Sequence, residues 1–388
     1  MRKLFAPALF LLLVCGIAAC GPRRTATADT ARPATVAAAD SLLGELHPRH
    51  ARGFSVARSG ECTLLEIRDP EIAGKEPMAR LALVPRGSLT AVPAGYERVE
   101  VPVERIVCMT SLQLSGFIRL GRCDRVAGIA SSRHLHNETM RGQVARGQTR
   151  RIGIEGNFDS EAILSIAPDL IFISPYKRGG YDALRETGIP LIPHLGYKET
   201  TPLGQAEWIK FVALFTGDRE RAMRTFDSIE TRYEALRALT EHVERRPVVF
   251  SGELRGGNWY AVGGRSFLAE LFRDAGADYF LKDDPRSGGV ILDFEQVYSQ
   301  AAEADYWRIL NSYDGRFSYE ALRREDERYA DFRAWRQQGV VYCNLREKPF
   351  YENTPTEPEA VLADLIRIFH PDLLPETEGG TYYELLEE

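Results

Sequence analysis

The side chains with the greatest capacity for chemistry in this 388-residue chain are aromatic and basic ones gathered in a few short stretches. Arg133 stands beside His134, and Tyr176, Lys177 and Arg178 run consecutively into Gly179 and Gly180. Tyr197 follows His194, Leu195 and Gly196, while Arg255, Trp259 and Tyr260 surround the pair Gly256-Gly257. Rings of this kind pack on flat or chelated ligands, and guanidinium groups pair with carboxylate, catecholate or hydroxamate oxygens. That is the chemistry of capture rather than turnover. There is no GxSxG elbow, HExxH pair or CxxC dithiol, so no local signal pairs a nucleophile with a base, and the chain reads as a non-enzyme. The glycine pairs at 256–257 and 263–264 lack the following Lys-Ser/Thr of a phosphate loop. His134 and His136 flank Leu135 on a polar stretch that reads as a surface loop, and neither a metal nor a cofactor is assigned to it. Trp259 and Tyr260 also open a strand, so that packing within a lobe stands beside ligand contact as an explanation of both.

The elements that position these residues alternate between strand and helix. Strand-like runs VERIVCM, DRVAGIAS, PDLIFIS and GIPLIPH are separated by helical periods, and the ligand-type stretches fall just past the strands. In open α/β folds that edge is where ligands meet the protein. The alternation resumes with PVVFSG, NWYAVGG, the amphipathic run RSFLAELFRDAG and the pairs that follow it. Between the two series lies residues 218–245, where Ala222, Phe226, Ile229, Tyr233, Leu236 and Leu239 recur at spacings of four and three. Asp218 is a natural N-cap and Pro247 forbids continuation. The pattern predicts one helix roughly 40 Å long, a strut between two lobes, entered from a helix over TPLGQAEWIKFVALFTG. Ahead of the main fold, FSVARS, TLLEIRD and ARLALVPRG read as short strands of a β appendage.

The net charge of -6 argues against a nucleic-acid partner. Arg2 and Lys3 precede an apolar run that ends on Ile17-Ala18-Ala19-Cys20, too short to span a membrane but matched to an export signal. Small residues before a cysteine resemble the lipobox of bacterial lipoproteins, which implies lipidation at Cys20, a membrane anchor and a location on the periplasmic face of a bacterial membrane. Residues 21–45 are rich in Ala, Thr, Pro and Arg and read as a tether. Cys62, Cys108, Cys123 and Cys343 are too scattered to assign a pairing, and both a disulfide and buried thiols stay open.

Four stretches carry a wider resemblance. They are Arg105-Ile106-Val107; the run from Leu120 and Gly121 through Asp124 to Gly128 and Ile129; the block Ser160-Glu161-Ala162 leading to Pro168-Asp169-Leu170; and Asp293-Phe294-Glu295 ahead of Ala304-Asp305. Over residues 103–374 the chain resembles the periplasmic substrate-binding proteins that serve iron-siderophore, haem and cobalamin ABC importers. The resemblance implies an α/β fold of two Rossmann-like lobes joined by one long helix, with ligand in the gap between them. It implies that Glu161 and Glu295 dock on an ABC permease dimer and its ATPase, and that the receptor works as a monomer. A chelated-iron ligand is the first expectation, with cobalamin and then haem as alternatives. A chelatase-like enzyme and a ligand-free scaffold are the other classes. The expected division is signal 1–20, tether 21–45, appendage 46–102, first lobe 103–200, linking helices 201–246 and second lobe 247–388.

Overall fold

The long helix is unbroken over Arg219–Leu239 in the computed structural model, which describes residues 46–72, 74–130, 132–154, 157–175, 181–374 and 380–387. The signal and tether, with Cys20, lie outside the described residues, as do Tyr176, Lys177 and Arg178. Ala222, Phe226, Ile229 and Tyr233 face the core, whereas Leu239 is exposed. One end of the helix is held by the first lobe, where the Asp218 carboxylate accepts from Arg122 Nε at 2.6 Å and Nη2 at 2.5 Å. The other end is held by the second lobe, where the Tyr233 hydroxyl donates to Asp274 at 2.7 Å. At 21 residues the helix is about 30 Å long, shorter than its apolar period implied. It stops because the Thr240 hydroxyl turns back to the Arg237 carbonyl at 2.9 Å and also approaches the Asp274 carbonyl, at 2.6 Å. Such a side chain competes with continued helix.

The helix lies between two α/β lobes. The first has a five-stranded parallel sheet in the order Leu191–Pro193, Leu170–Ile173, Ile106–Cys108, Val126–Ile129, Arg150–Arg151. The second orders Asp278–Tyr279, Val248–Ser251, Tyr306–Asn311 and Val340–Asn344 in parallel, with Glu384–Leu385 antiparallel at the edge. Val126–Ile129, Leu170–Ile173 and Val340–Asn344, buried on both faces, are the near-continuous apolar runs that parallel sheets require. A small antiparallel sheet of Glu253–Arg255, Asn258–Val262 and Gly289–Leu292 flanks the second lobe. Its hairpin turns on Gly256 and Gly257, with φ of 58° and 83°, which is the role of that glycine pair.

The appendage is a four-stranded sheet of Phe54–Ser59, Cys62–Ile67, Ala79–Pro85 and Glu97–Val101, one strand more than the sequence pattern reveals. Phe54 packs edge-on against Trp208 and Phe211 at 5.2 and 5.5 Å, so its core is continuous with the linking helices. Those helices are two rather than one, Pro202–Ala206 and Trp208–Thr216, with Glu207 at the junction. The Glu207 carboxylate is fully buried and accepts from the backbone N–H groups of Arg49, His50 and Ala51 at 2.7–2.9 Å. Lys210, also buried, donates to it at 2.8 Å. Glu199, eight residues earlier, takes the next two amides, Arg52 at 3.0 Å and Gly53 at 2.9 Å, plus the Trp208 indole N–H at 2.9 Å. Five successive amides of the entering chain are thus held by two buried carboxylates. Gly53 is required there, since a Cβ would lie 2.6 Å from the Trp208 ring. Cys62, Cys108, Cys123 and Cys343 are all free and buried. Among the described residues no helix is long and apolar enough to cross a membrane.

Candidate ligand-binding site between the lobes

The strand-end loops of the first lobe are cross-braced. Gln113 Oε1 accepts from the Met109 N–H at 2.7 Å, and Gln113 Nε2 reaches Ser174 Oγ at 3.4 Å, linking the loops after two neighbouring strands. His194, after the edge strand, packs 4.7 Å from Trp208, and burial pulls its imidazole down to about 3, so it is neutral at physiological pH.

Facing these loops is residues 350–357 of the second lobe, which reach across the gap. Glu352 is buried and accepts from the Asn137 N–H at 2.5 Å and the His136 N–H at 3.1 Å. His136 Nε2 lies 3.0 Å from the Leu345 carbonyl, and His134 Nε2 lies 3.3 Å from Ser312 Oγ. Ser115 meets Thr356 at 2.8 Å, and Arg119 meets Glu357 at 3.3 Å. The histidine pair expected on a surface loop is therefore an interlobe contact, and among the described residues no group of three His, Cys, Asp or Glu is placed to hold a metal.

Two cavities remain at this junction, both touching Gln205. One, about 20 Å³, lies among Leu112, His194, Tyr197, Trp208 and Thr356. The other, about 170 Å³, opens on the second-lobe side between Pro202, Leu271 and Phe350. Sites for drug-sized molecules run to roughly 300–1,000 Å³. Neither cavity reaches that size while residues 350–357 lie against the first lobe. Replacing Glu352 by alanine would leave two half-buried amides without their acceptor, an expected loss of about 1–2 kcal/mol, with faster amide exchange at His136 and Asn137. Glu352→Gln keeps one acceptor oxygen and should lose less. Burial raises the Glu352 carboxyl above the usual glutamate range, the bonds from His136 and Asn137 opposing it in part. The folded state thus holds that proton more tightly than the unfolded one. The contribution of Glu352 accordingly declines as pH climbs from about 4.3 through its raised folded value.

The expected site residues are dispersed. Tyr197 lines the smaller cavity. Arg133 is exposed, beside the His134 contact. Tyr260 is 45 % exposed on the small sheet, and Arg255 is exposed and paired with Glu253 at 2.7 Å. Trp259 has no exposed surface: its indole N–H donates to the Ser251 carbonyl at 3.0 Å and its ring packs against Phe250, Trp307 and Phe332. As a ligand contact it is corrected to a core residue, because the alternation of Asn258–Val262 turns Trp259 inward and Tyr260 outward. Arg308, Tyr351 and Tyr383, around the larger cavity, were not anticipated.

Glu161 and Glu295 occupy equivalent places. Each stands two residues past an aspartate N-cap, Asp159 or Asp293, whose carboxylate accepts from the N–H three residues on. Both are exposed, and Glu295 has Arg328 for a loose neighbour at 3.9 Å. Carboxylates in a first helical turn are favoured by the helix dipole. The same cap-and-glutamate device thus recurs on both lobes, and the periplasmic binding protein family matches residues 106–346.

The chain belongs to the periplasmic binding protein family.

Relatives are distant. An uncharacterised lipoprotein of Methanocaldococcus jannaschii is 25% identical over 230 residues, a match spanning 58% of this chain and 58% of that relative. Among solved structures, an ABC-type Fe3+-hydroxamate transport system protein from Saccharomonospora viridis superposes with a TM-score of 0.54 at 21% identity, covering 69% of this chain and 94% of that one. The molybdate periplasmic binding protein of Haemophilus influenzae gives 0.56 at 12% identity, covering 71% and 89%. At these identities the likeness is one of fold. The appendage, before residue 106, lies outside the family match.

Proposed function

We propose that this periplasmic binding protein is the solute receptor of an ABC importer, capturing a chelated-iron ligand between its lobes and presenting it to the permease through Glu161 and Glu295. The observation that carries the reading is the pair of matched, exposed, Asp-capped glutamates on lobes joined by one continuous helix. Surface carboxylates orient encounters with basic partners and set association rates. Lipidation at Cys20, on the periplasmic face of a bacterial membrane, would hold the receptor near that partner. A ligand of chelate size is supported by the strand-end loops on either side of the gap and by the fold shared with an iron-hydroxamate transport protein.

Binding and docking are tested separately. Native mass spectrometry of the purified protein against ferric siderophores, cobalamin and haem should return one retained complex with a ferric chelate. Retention of cobalamin or haem alone would replace the ligand assignment. Reversing both charges, Glu161→Lys with Glu295→Lys, should reduce uptake at least about tenfold while leaving ligand retention unchanged. Unaltered uptake with the variant present at normal level would defeat the docking assignment.

A further inference from the structure

The central strand Tyr306–Asn311 of the second lobe carries an arginine where an aliphatic side chain belongs. Trp307 and Ile309 point to one face of the sheet and are buried. Arg308 and Leu310 point to the other, into the layer covered by the helices Phe267–Asp274 and Pro358–Phe369, and both line the 170 Å³ cavity. Most of the remaining wall is apolar, including Val262, Leu268, Leu271, Phe350 and Val361. A guanidinium stays charged in any protein environment; Arg308 is half-buried, and withdrawing it even in part from water is costly without an anionic partner. Arg308 has none among the described residues. Its Nε and Nη2 both donate to one neutral oxygen, the Tyr383 hydroxyl, at 2.8 and 2.5 Å, and its carbon lies 5.4 Å from the Tyr383 ring centre. A hydroxyl oxygen shared by two donors is a poor counter-ion, and Nη1 has no hydrogen-bond acceptor among those residues. The charge and the cavity adjoin each other.

We infer that this cavity is a binding site for a small organic anion with an apolar body, of the aryl or branched-alkyl carboxylate class, whose carboxylate pairs with Arg308. Size supports the class: an apolar cavity of about 150 Å³ accepts a benzene ring. The site is distinct from the gap in front of the first-lobe strands, from which residues 354–356 and Gln205 separate it. It therefore does not rest on the transport reading, and a chelate-binding failure leaves it standing.

The probes are benzoate and its uncharged isostere benzamide, tested on the full chain by thermal unfolding and calorimetry. Benzoate at 10 mM should raise Tm by roughly 2 °C or more, with benzamide and inorganic phosphate giving no shift. Arg308→Met, which retains the apolar stem, should weaken benzoate at least about tenfold. Val361→Phe should block it by filling the volume while keeping the guanidinium. No response to benzoate, or an equal response to benzamide, overturns the inference, as does unchanged affinity in Arg308→Met. Should that variant fail to fold, the comparison of the two probes on the unmodified protein decides alone.

Discussion

Glu207→Ala is expected to lower the stability of this protein by about 3–5 kcal/mol, the range for breaking a buried ion pair from one side. Glu207 and Lys210 are both almost fully buried and lie 2.8 Å apart, so removing the carboxylate takes from the buried ammonium its paired anion. It also strips the acceptor from the amides of Arg49, His50 and Ala51. Lys210→Met should be milder, because the three amides still solvate the carboxylate. The double variant should lose less than the sum of the two, a coupling that chemical denaturation of the four-protein cycle measures. Additive losses would show that Glu207 acts on the entering chain alone. Burial opposes ionisation of Glu207, but Lys210 and the amides outweigh it and hold the carboxyl below its usual value. A depressed folded value means stability present above the unfolded value, about 4.3, and lost as pH falls through the folded one. Glu199 runs the other way, burial raising it despite the Trp208 and amide bonds. Acid unfolding of Glu207→Ala should therefore be less steep than that of the parent.

Trp259→Ala is the second large effect, about 3–5 kcal/mol, the usual cost of truncating a buried large aromatic. The ring lies 5.7 Å from Trp307, 5.9 Å from Phe332 and 5.9 Å from Tyr329. The Ser251 carbonyl also loses its donor. Trp259→Phe should retain much of the packing and lose roughly half as much. For either variant, ligand affinity measured on the folded fraction should match the parent's. A variant that kept its melting temperature but lost ligand would return Trp259 to the binding site.

Period and order were legible before the coordinates. The stripe of Ala222, Phe226, Ile229 and Tyr233 marked the strut, and strand–helix alternation marked both parallel sheets. What failed was whatever depends on contacts remote in sequence. The end of the strut is set by Thr240 against Asp274, and no local breaker precedes Pro247. The helix break at Glu207 answers to amides more than 150 residues away. The strand Glu97–Val101 has only Val99 fully buried and pairs in parallel with Ala79–Pro85, so its own residues barely announce it. At Asn258–Val262 the alternation was visible, but nothing in it says which of Trp259 and Tyr260 turns inward. Residues 350–357 carry no sequence signal for their reach across the gap, and Arg308 none for the cavity beside it. Each acquires meaning only once the opposite wall is in place.

The grip on residues 49–53 has a mechanical consequence. Tension applied to the chain ahead of them would arrive at the joint between the two linking helices, not at the face of either lobe. Five amides loaded together against two carboxylates form a shear joint, which resists pulling far better than bonds opened one by one. Force entering from that end is thus carried into the joint without prying the lobes apart.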